Sequence, residues 1–534
     1  MPVTSALKTP GVYITEEDAF PPSIVGVQTA LPAFIGYTEK AEIGGKPCYM
    51  KPQKIQSFAD YISIFGAGFE PKIDIKEVPA VEVQVNPDKA DVSLVDKDGV
   101  TKYYALTQAS NNNFYLYASM RLFYDNGGQE CYVVSVGDYT DQGKTPTGVA
   151  VDADKLESGL SAIGEVTGPT ILVIPDAVLI APDDPAKPLE STKFYKLVHN
   201  MLTQCATLQD RVSILDVYGT GALNQTALTF SKDMEDTIKA FRDQVGTENL
   251  SYGMTYFPFL KTSTYPAGDI DYLNFVNTEL VPVLKLQSAA MYKGDQLAAV
   301  DAMIDATATV TSPPDAVTDL NNNLLAALPV LGQMENQVAL KLGVMPPSGG
   351  MAGVFTTTDA TRGVWNAPAN ISMVSVIQPT VRLNNTMQAD LNVPINGKAI
   401  DAIRQFPGRG TVVWGARTLL GNSNDWRYVQ VRRTIVYIEQ SIKAAMMPFV
   451  FAANDGKTWS TVVSAVSNFL QGLWSQGGLM GAKSSDAYTV ACGLGSTMTA
   501  QDILEGYMIV QVQLQLIRPA EFIVLTFKQK MQGT

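Results

Sequence analysis

PTILVI (Pro169–Ile174), FYKLVHNMLTQC (Phe194–Cys205) and VSILDV (Val212–Val217) follow one another in this 534-residue chain, and their order decides the fold class. The outer two are short apolar runs rich in β-branched residues, the composition of strands buried on both faces. Between them, Phe194, Leu197, Val198, Met201, Leu202 and Cys205 fall at offsets 0, 3, 4, 7, 8 and 11, one face of an amphipathic helix. Strand, helix, strand in that order predicts parallel strands joined by a crossover helix.

The same alternation extends outward. Phe114, Tyr117, Ala118 and Leu122 share a helix face that ends at Asn126-Gly127-Gly128, and CYVVSV (Cys131–Val136) reads as the next buried strand. Ala30–Tyr37 reads as the first core strand and Tyr252–Leu260 as another. A mostly parallel sheet covered by helices is the expectation. Residues 71–108 look like an insertion, with a hairpin turn at Asp98-Gly99 between VSLV and VTKYYAL. Asn321–Leu342 reads as helix interrupted at Pro329, and the Pro- and Gly-rich VMPPSGGMAGVF (Val344–Phe355) as a domain boundary. At the N-terminus, Val12 and Ile14 alternate with Tyr13 and Thr15 before Pro21-Pro22, the pattern of an extended arm.

The C-terminal block predicts a strand (TVVWGARTL), a helix from Thr434 to Met447 stopped by Pro448, and a second helix. In that second helix Trp459, Val462, Val463, Val466, Phe469, Leu470, Leu473 and Trp474 form the apolar stripe. Its polar face, with Ser460, Ser464, Ser467 and Gln471, carries no charge, which suits a second contact better than an ordinary solvated face. Val510, Val512, Leu514 and Leu516 then alternate with glutamines as a half-buried strand. Arg518-Pro519 breaks the run, and Phe522, Val524 and Leu525 lie in a terminal segment apolar on nearly both sides. Such a segment pairs either within its own chain or with a neighbour's sheet edge.

Composition sets the limits. Hydrophobic residues make up 46% and charged residues 17%, a folded chain long enough for several cores. The net charge of −13 disfavours nucleic acid as the partner. From Asp401 onward there are 12 basic and 8 acidic residues, a net +4, against 27 and 44, a net −17, in the remainder. That split predicts a basic face, around Arg427, Arg432, Arg433 and Lys443, turned toward something acidic. No secretory signal and no bilayer-spanning run is visible. The four cysteines form no CxxC pair and read as reduced thiols.

The search for chemistry is negative. The single histidine, His199, lies off the apolar stripe of its helix and no GxSxG elbow accompanies it. Two GKT triplets lack the upstream glycine of a phosphate-binding loop, with Phe451 and Asp138 at the required positions. Catalytic, cofactor and metal residues are therefore expected to be none.

Several long motifs, in one order, resemble contractile tail sheath proteins, the family of myophage tails, R-type pyocins and extracellular contractile injection systems. They are VRRTIVYIEQSIKAAMMPFVF (431–451), NDGKTW (454–459), FLQGLWSQGGLMGA (469–482) and IRPAEFIVLTF (517–527), with GVWNAPAN (363–370) and residues 391–419 before them. TPGVYITE (9–16), TALPAFIGYTEKA (29–41) and YASMRLFYDNGGQECYVVSV (117–136) extend the likeness toward the start. The resemblance implies an α/β, multidomain, non-enzymatic subunit. An N-terminal arm (1–28), an outer inserted α/β region (29–350), an inner tube-facing domain (351–506) and C-terminal strands and arm (507–534) are its implied parts. It also implies hexameric rings stacked around an inner tube, with baseplate and terminal cap proteins as further partners. Val12 and Ile14 would belong to the N-terminal arm, and Val510–Leu516 with Phe522–Phe527 would supply the receiving edge and the C-terminal arm. Arg427, Arg432, Arg433, Lys443, Lys457, Ser460, Ser464, Ser467 and Gln471 would be candidates for the tube face. Assembly in the bacterial cytoplasm, in a particle that can leave the cell, completes the implied picture, with no nucleic-acid partner and no membrane insertion. FIGYTEKA and the single complete chain lean toward an injection system. A bacteriophage tail sheath is the alternative, and a non-contractile surface or capsid-like protein the alternative of another class.

Overall fold

The computed structural model describes residues 24–108, 114–140, 150–220 and 232–525. The chain divides into a large unit, residues 28–437 with 518–525, and a small unit, residues 24–27 with 438–517.

The large unit is organised by a nine-stranded sheet. Its strands in chain order are β1 (Pro32–Thr38), β2 (Gln53–Ile55), β3 (Cys131–Asp138), β4 (Ile171–Val173), β5 (Val212–Asp216), β6 (Gly253–Phe257), β7 (Ile371–Ser372), β8 (Asp401–Phe406) and β9 (Gly410–Val413). Across the sheet the order is β7-β9-β8-β6-β5-β4-β1-β3-β2. The six central strands, β8 to β3, are parallel, and antiparallel partners close each edge. The alternation of strands and helices in the sequence thus becomes a doubly wound sheet. Successive residues of β1 reach different helices. Phe34 stacks edge-on against Phe123 of the Leu116–Asp125 helix, with ring centroids 5.1 Å apart. Ile35 packs against Gly159 of the Ala153–Gly164 helix, so the sheet is covered on both sides. The helix expected around Phe194 spans Thr192–Leu208, and all six residues of its predicted stripe are buried.

Two carboxylates fill positions at the ends of parallel strands where such sheets often bind anionic ligands. Asp176 is buried and accepts backbone N–H bonds from Tyr37 (2.8 Å), Tyr115 (2.6 Å) and Leu116 (3.2 Å), at the start of the Leu116–Asp125 helix. Asp216, at the end of β5, accepts from the N–H of Ser348 (3.0 Å), the first residue of the Ser348–Arg362 helix. Burial pushes Asp176 up to about 6 and Asp216 up to about 7.

The segment Val344–Phe355 is not a boundary. Met345 ends a two-residue strand, and SGGMAGVF opens a buried helix. Its glycines serve close packing: a Cβ on Gly349 would sit 2.6 Å from the Ser119 Cβ, and one on Gly353 would sit 2.5 Å from the Phe123 carbonyl oxygen. The expected division near residue 350 is corrected for the same reason, because β7, β8 and β9 belong to the large sheet.

The inserted region forms a second core within the large unit. Strands Ile73–Val78, Val92–Val95 and Thr101–Gln108 make a three-stranded antiparallel sheet, with the predicted hairpin turning at Gly99. Helices Asn277–Met291, Gly294–Ala306, Pro314–Ala327 and Pro329–Leu342 cover it, and Ile75, Leu106, Leu284, Leu324, Leu331 and Met334 are buried between them. Pro329 begins a helix there, a position where its missing N–H costs nothing.

The small unit holds the second half of the Val429–Met446 helix, the Gly456–Ser475 helix and a two-stranded antiparallel sheet. The first helix starts five residues earlier than expected. Val27 N–H donates to Ser441 Oγ (3.1 Å), tying the N-terminal stretch to that helix.

Candidate assembly site: the C-terminal arm and its anchor

Residues 518–525 have no regular secondary structure. Of the two pairings open to the terminal segment, the one within the chain is not made by its described residues: Phe522, Ile523, Val524 and Leu525 are 72%, 77%, 86% and 73% exposed. Four consecutive large apolar side chains in water are uncommon in a finished surface and mark a contact still to be made. Thr526 onward, and the arm residues Val12 and Ile14, lie outside the described residues.

One side chain pins this arm. Glu521 Oε2 accepts from Arg417 Nη2 (2.6 Å) and from the Tyr428 hydroxyl (3.0 Å). Glu521 Oε1 accepts from Arg417 Nε (3.0 Å) and Asn392 Nδ2 (2.5 Å). Arg417 is buried, and its Nη1 donates to the carbonyls of Asn392 (3.1 Å) and Gly421 (3.2 Å). Burial by itself would raise the Glu521 carboxyl; the bonds from Arg417 and Asn392 outweigh it and hold the group below the usual range. The local chain makes this geometry. After β9 it turns at Gly415, which lies so close to Asp401 that a Cβ would stand 2.6 Å from Oδ1. Asp401 Oδ1 then accepts the Arg417 N–H (2.8 Å), aiming the guanidinium at the arm. Sequence reading missed this pair because its members are 104 residues apart. The weak signal was Glu521 itself, a lone acid in an apolar run.

In the small unit, Tyr488–Ala491 pairs with Gln511–Leu514, from Tyr488 opposite Leu514 to Ala491 opposite Gln511. Val510, Val512, Leu514 and Leu516 are half-buried and the intervening glutamines exposed, as the alternation predicts. A two-stranded sheet is marginal in water and presents unpaired edges, so it is suited to accepting further strands.

The Gly456–Ser475 helix is capped by Asp455, whose Oδ1 accepts the Thr458 N–H (2.9 Å). It buries Val462, Ala465, Val466, Leu470 and Leu473. Lys457, Ser460, Ser464 and Gln471 are exposed and Ser467 is half-buried. The Ser460 hydroxyl is turned back to the Gly456 carbonyl (2.8 Å), and Gln471 Oε1 accepts from the Tyr488 hydroxyl (3.1 Å).

Two of the four residues expected on a basic face, Arg432 and Arg433, are instead buried. Arg433 is buried and forms a two-pronged pair with Asp359 (2.8 and 2.6 Å), its guanidinium over the Phe355 ring at 4.6 Å. Arg432 is buried between Trp426 (3.7 Å) and Tyr252 (4.2 Å) and donates to Ser251 Oγ (2.7 Å). A buried guanidinium needs such partners, and neither residue offers charge to a surface. Arg427 is half-buried beside the Tyr428 ring (5.3 Å), while Lys443 is exposed.

His199 is exposed, as its offset predicts, and three of the four cysteines are buried. Among the described residues no group of His, Cys, Asp and Glu could hold a metal ion, and no helix is long and apolar enough to cross a membrane.

Residues 422–530 match the family model of the phage tail sheath C-terminal domain. No curated protein matches the chain. Among solved structures, the chain is similar to one from the sheath complex of an extracellular contractile injection system, PVC, in the contracted state, with 26% identity and a TM-score of 0.57 over 98% of both chains. It is also similar to a chain of the anti-feeding prophage helical sheath in the contracted state, with 25% identity and a TM-score of 0.56 over 98% of this chain and 100% of that one. A chain of the anti-feeding prophage baseplate gives 26% identity and a TM-score of 0.56, with the same coverage.

Proposed function

We infer that the chain is a structural subunit of a contractile sheath, its C-terminal block belonging to the phage tail sheath C-terminal domain family. The observation that carries this is the correspondence, over nearly the whole of both chains, with sheath proteins of two contractile particles. That full-length match favours an extracellular injection system over a phage tail, since the family model alone serves both. Its work is structural: subunits self-assemble and associate with a baseplate, and the particle acts outside the cell that made it.

The finer reading is that six copies form a ring, rings stack around an inner tube, and a terminal cap closes the stack. Contraction then needs two packings of similar subunits with a free-energy difference between them. The exposed arm, Phe522–Leu525, suits this role. Adding those residues to a neighbour's sheet edge gains main-chain bonds and roughly 6–10 kcal/mol from apolar burial before ordering costs. Such a tether keeps copies connected while rigid units rotate. Lys443, Lys457 and the uncharged face of the Gly456–Ser475 helix remain the candidates for the tube surface. Assembly begins in the bacterial cytoplasm. Electron microscopy of the chain expressed with its genomic neighbours tests the reading. Sixfold cylinders in a long and a short form are expected; a soluble monomer under all such conditions would count against it.

A further inference from the structure

Beside the Arg417–Glu521 pair, the large unit carries a cleft of ≈ 620 Å³, bounded by the Asn385–Asn392 helix, Trp414 and the arm residues Pro519–Ile523. Its one acidic residue, Glu521, is already engaged on both oxygens. The second cation of the cleft, Arg404, is in a different position. Its Nη1 donates to two neutral amides, Asn385 Oδ1 (3.0 Å) and Gln388 Oε1 (2.6 Å), and its Nε is buried with no hydrogen-bond partner. Among the described residues no carboxylate pairs with it. Its guanidinium lies 5.2 Å from the Phe406 ring centroid, and that ring packs on Trp414 at 4.7 Å. Trp414 is 37% exposed and is flanked by Arg409 at 5.8 Å. A half-buried cation without a counter-ion, next to an accessible indole, is chemistry for an acidic segment that also carries apolar or proline residues.

This chain contains such a segment. Residues 15–22 read Thr-Glu-Glu-Asp-Ala-Phe-Pro-Pro, and Glu16-Glu17-Asp18 is the one run of three consecutive acids in the sequence. The segment lies outside the described residues. We propose that the Arg404–Trp414 cleft is the docking site for residues 16–22 of a second copy of this chain, with a carboxylate of the acidic run on Arg404 and the proline pair against Trp414. The proposal rests on the sheath reading, which brings a second copy to every subunit. It gives the N-terminal arm a charge-selected seat next to the exit of the C-terminal arm, so one copy's arm would be held where the other's leaves.

The test is a titration of a labelled peptide of residues 12–23 into the full-length chain at low salt. Saturable binding is expected, weakened about tenfold or more by Arg404→Glu, as removal of a close charge pair does at other interfaces. A peptide carrying Glu16→Gln, Glu17→Gln and Asp18→Asn should lose as much, and that arm leaves the folded protein untouched. No binding, or equal binding by both peptides, overturns the proposal. Copy identity is read by cross-linking under assembly conditions: Asp18→Cys in one tagged chain and Asn385→Cys in another should give a product of two chains. Cross-linking only within a single doubly substituted chain overturns the second-copy assignment. Where the unmodified chain builds sheaths and the peptide does not bind, the cleft assignment fails alone. Where it builds none, the sheath reading fails and the titration still decides the cleft.

Discussion

Arg417 Nη2 and Glu521 Oε2 lie 2.6 Å apart, joining the core of the large unit to an arm whose described residues, 518–525, form no helix or strand. Arg417 is buried and Glu521 only partly exposed, so loss of the carboxylate leaves a cation without its counter-ion. Breaking one side of a buried pair costs about 3–5 kcal/mol, and partial exposure of Glu521 places the loss at the lower end. Glu521→Gln is expected to lower the thermal midpoint of the monomer. It should also impair assembly beyond what that loss of stability explains, because the arm's exit is no longer fixed. Calorimetry paired with electron microscopy separates the two effects; full assembly by a destabilised variant would refute the anchoring role.

Removing residues 522–534 should have the opposite profile. Phe522–Leu525 make little contact within the chain, so the monomer's melting midpoint should stay within about 1–2 °C of the full chain, as expected for exposed sites. Assembly should be abolished, since those side chains are the ones proposed to enter a neighbour's sheet. Sedimentation and electron microscopy of the truncated chain decide this, and ordered sheaths from it would remove the arm from the assembly mechanism.

Much of the parallel sheet was legible because its signals are local. The helix stripe from Phe194 to Cys205 carries its own period, and the runs at Ile171 and Val212 carry the apolar, β-branched composition of strands buried on both faces. The errors came where distant partners decide. SGGMAGVF has the composition of a loop, yet its small residues are there because the helix beside it approaches within van der Waals contact. Arg432 and Arg433 count as surface charge in a linear reading, and Asp359 and Trp426 make them core. The arm's apolar pattern was legible, but its anchor required bringing residues 417 and 521 together.

Gly353 tests the packing argument. Its missing Cβ leaves room for the Phe123 carbonyl, and an added methyl would stand 2.5 Å from that oxygen. Neither helix can withdraw without disturbing the sheet below, so Gly353→Ala is expected to cost about 1–3 kcal/mol despite its better helix propensity. Denaturant unfolding measures it, and a stabilised variant would show that the two helices have room to separate.

Arg433 separates a structural role from a surface one. With both Arg433 and Asp359 buried, Arg433→Ala strands a carboxylate and should destabilise the monomer by about 3–5 kcal/mol. Lys443→Ala, at an exposed site, should leave unfolding unchanged within about 0.5 kcal/mol. A weakened sheath in the lysine variant alone would then report on a contact surface, whereas the arginine variant's assembly defect would follow from misfolding.

The buried acids give the large unit a pH dependence of definite sign. Asp216 is raised to about 7 by burial, well above its value of about 3.9 in an unfolded chain. Between those two values the folded state binds the proton and the unfolded state does not. Stability contributed by this group is therefore fully present below about pH 4 and is lost as pH rises toward about 7. Asp176, raised to about 6, acts in the same direction over a narrower window. Glu521 opposes them, since its depressed carboxyl stabilises above the unfolded value and loses that effect on acidification. Asp216→Asn keeps an acceptor for the Ser348 N–H and removes the titration. Its unfolding free energy should fall less steeply between pH 5 and 7 than that of the parent chain, as followed by chemical denaturation. Identical slopes for the two would mean that Asp216 is ionised in the folded protein throughout that range.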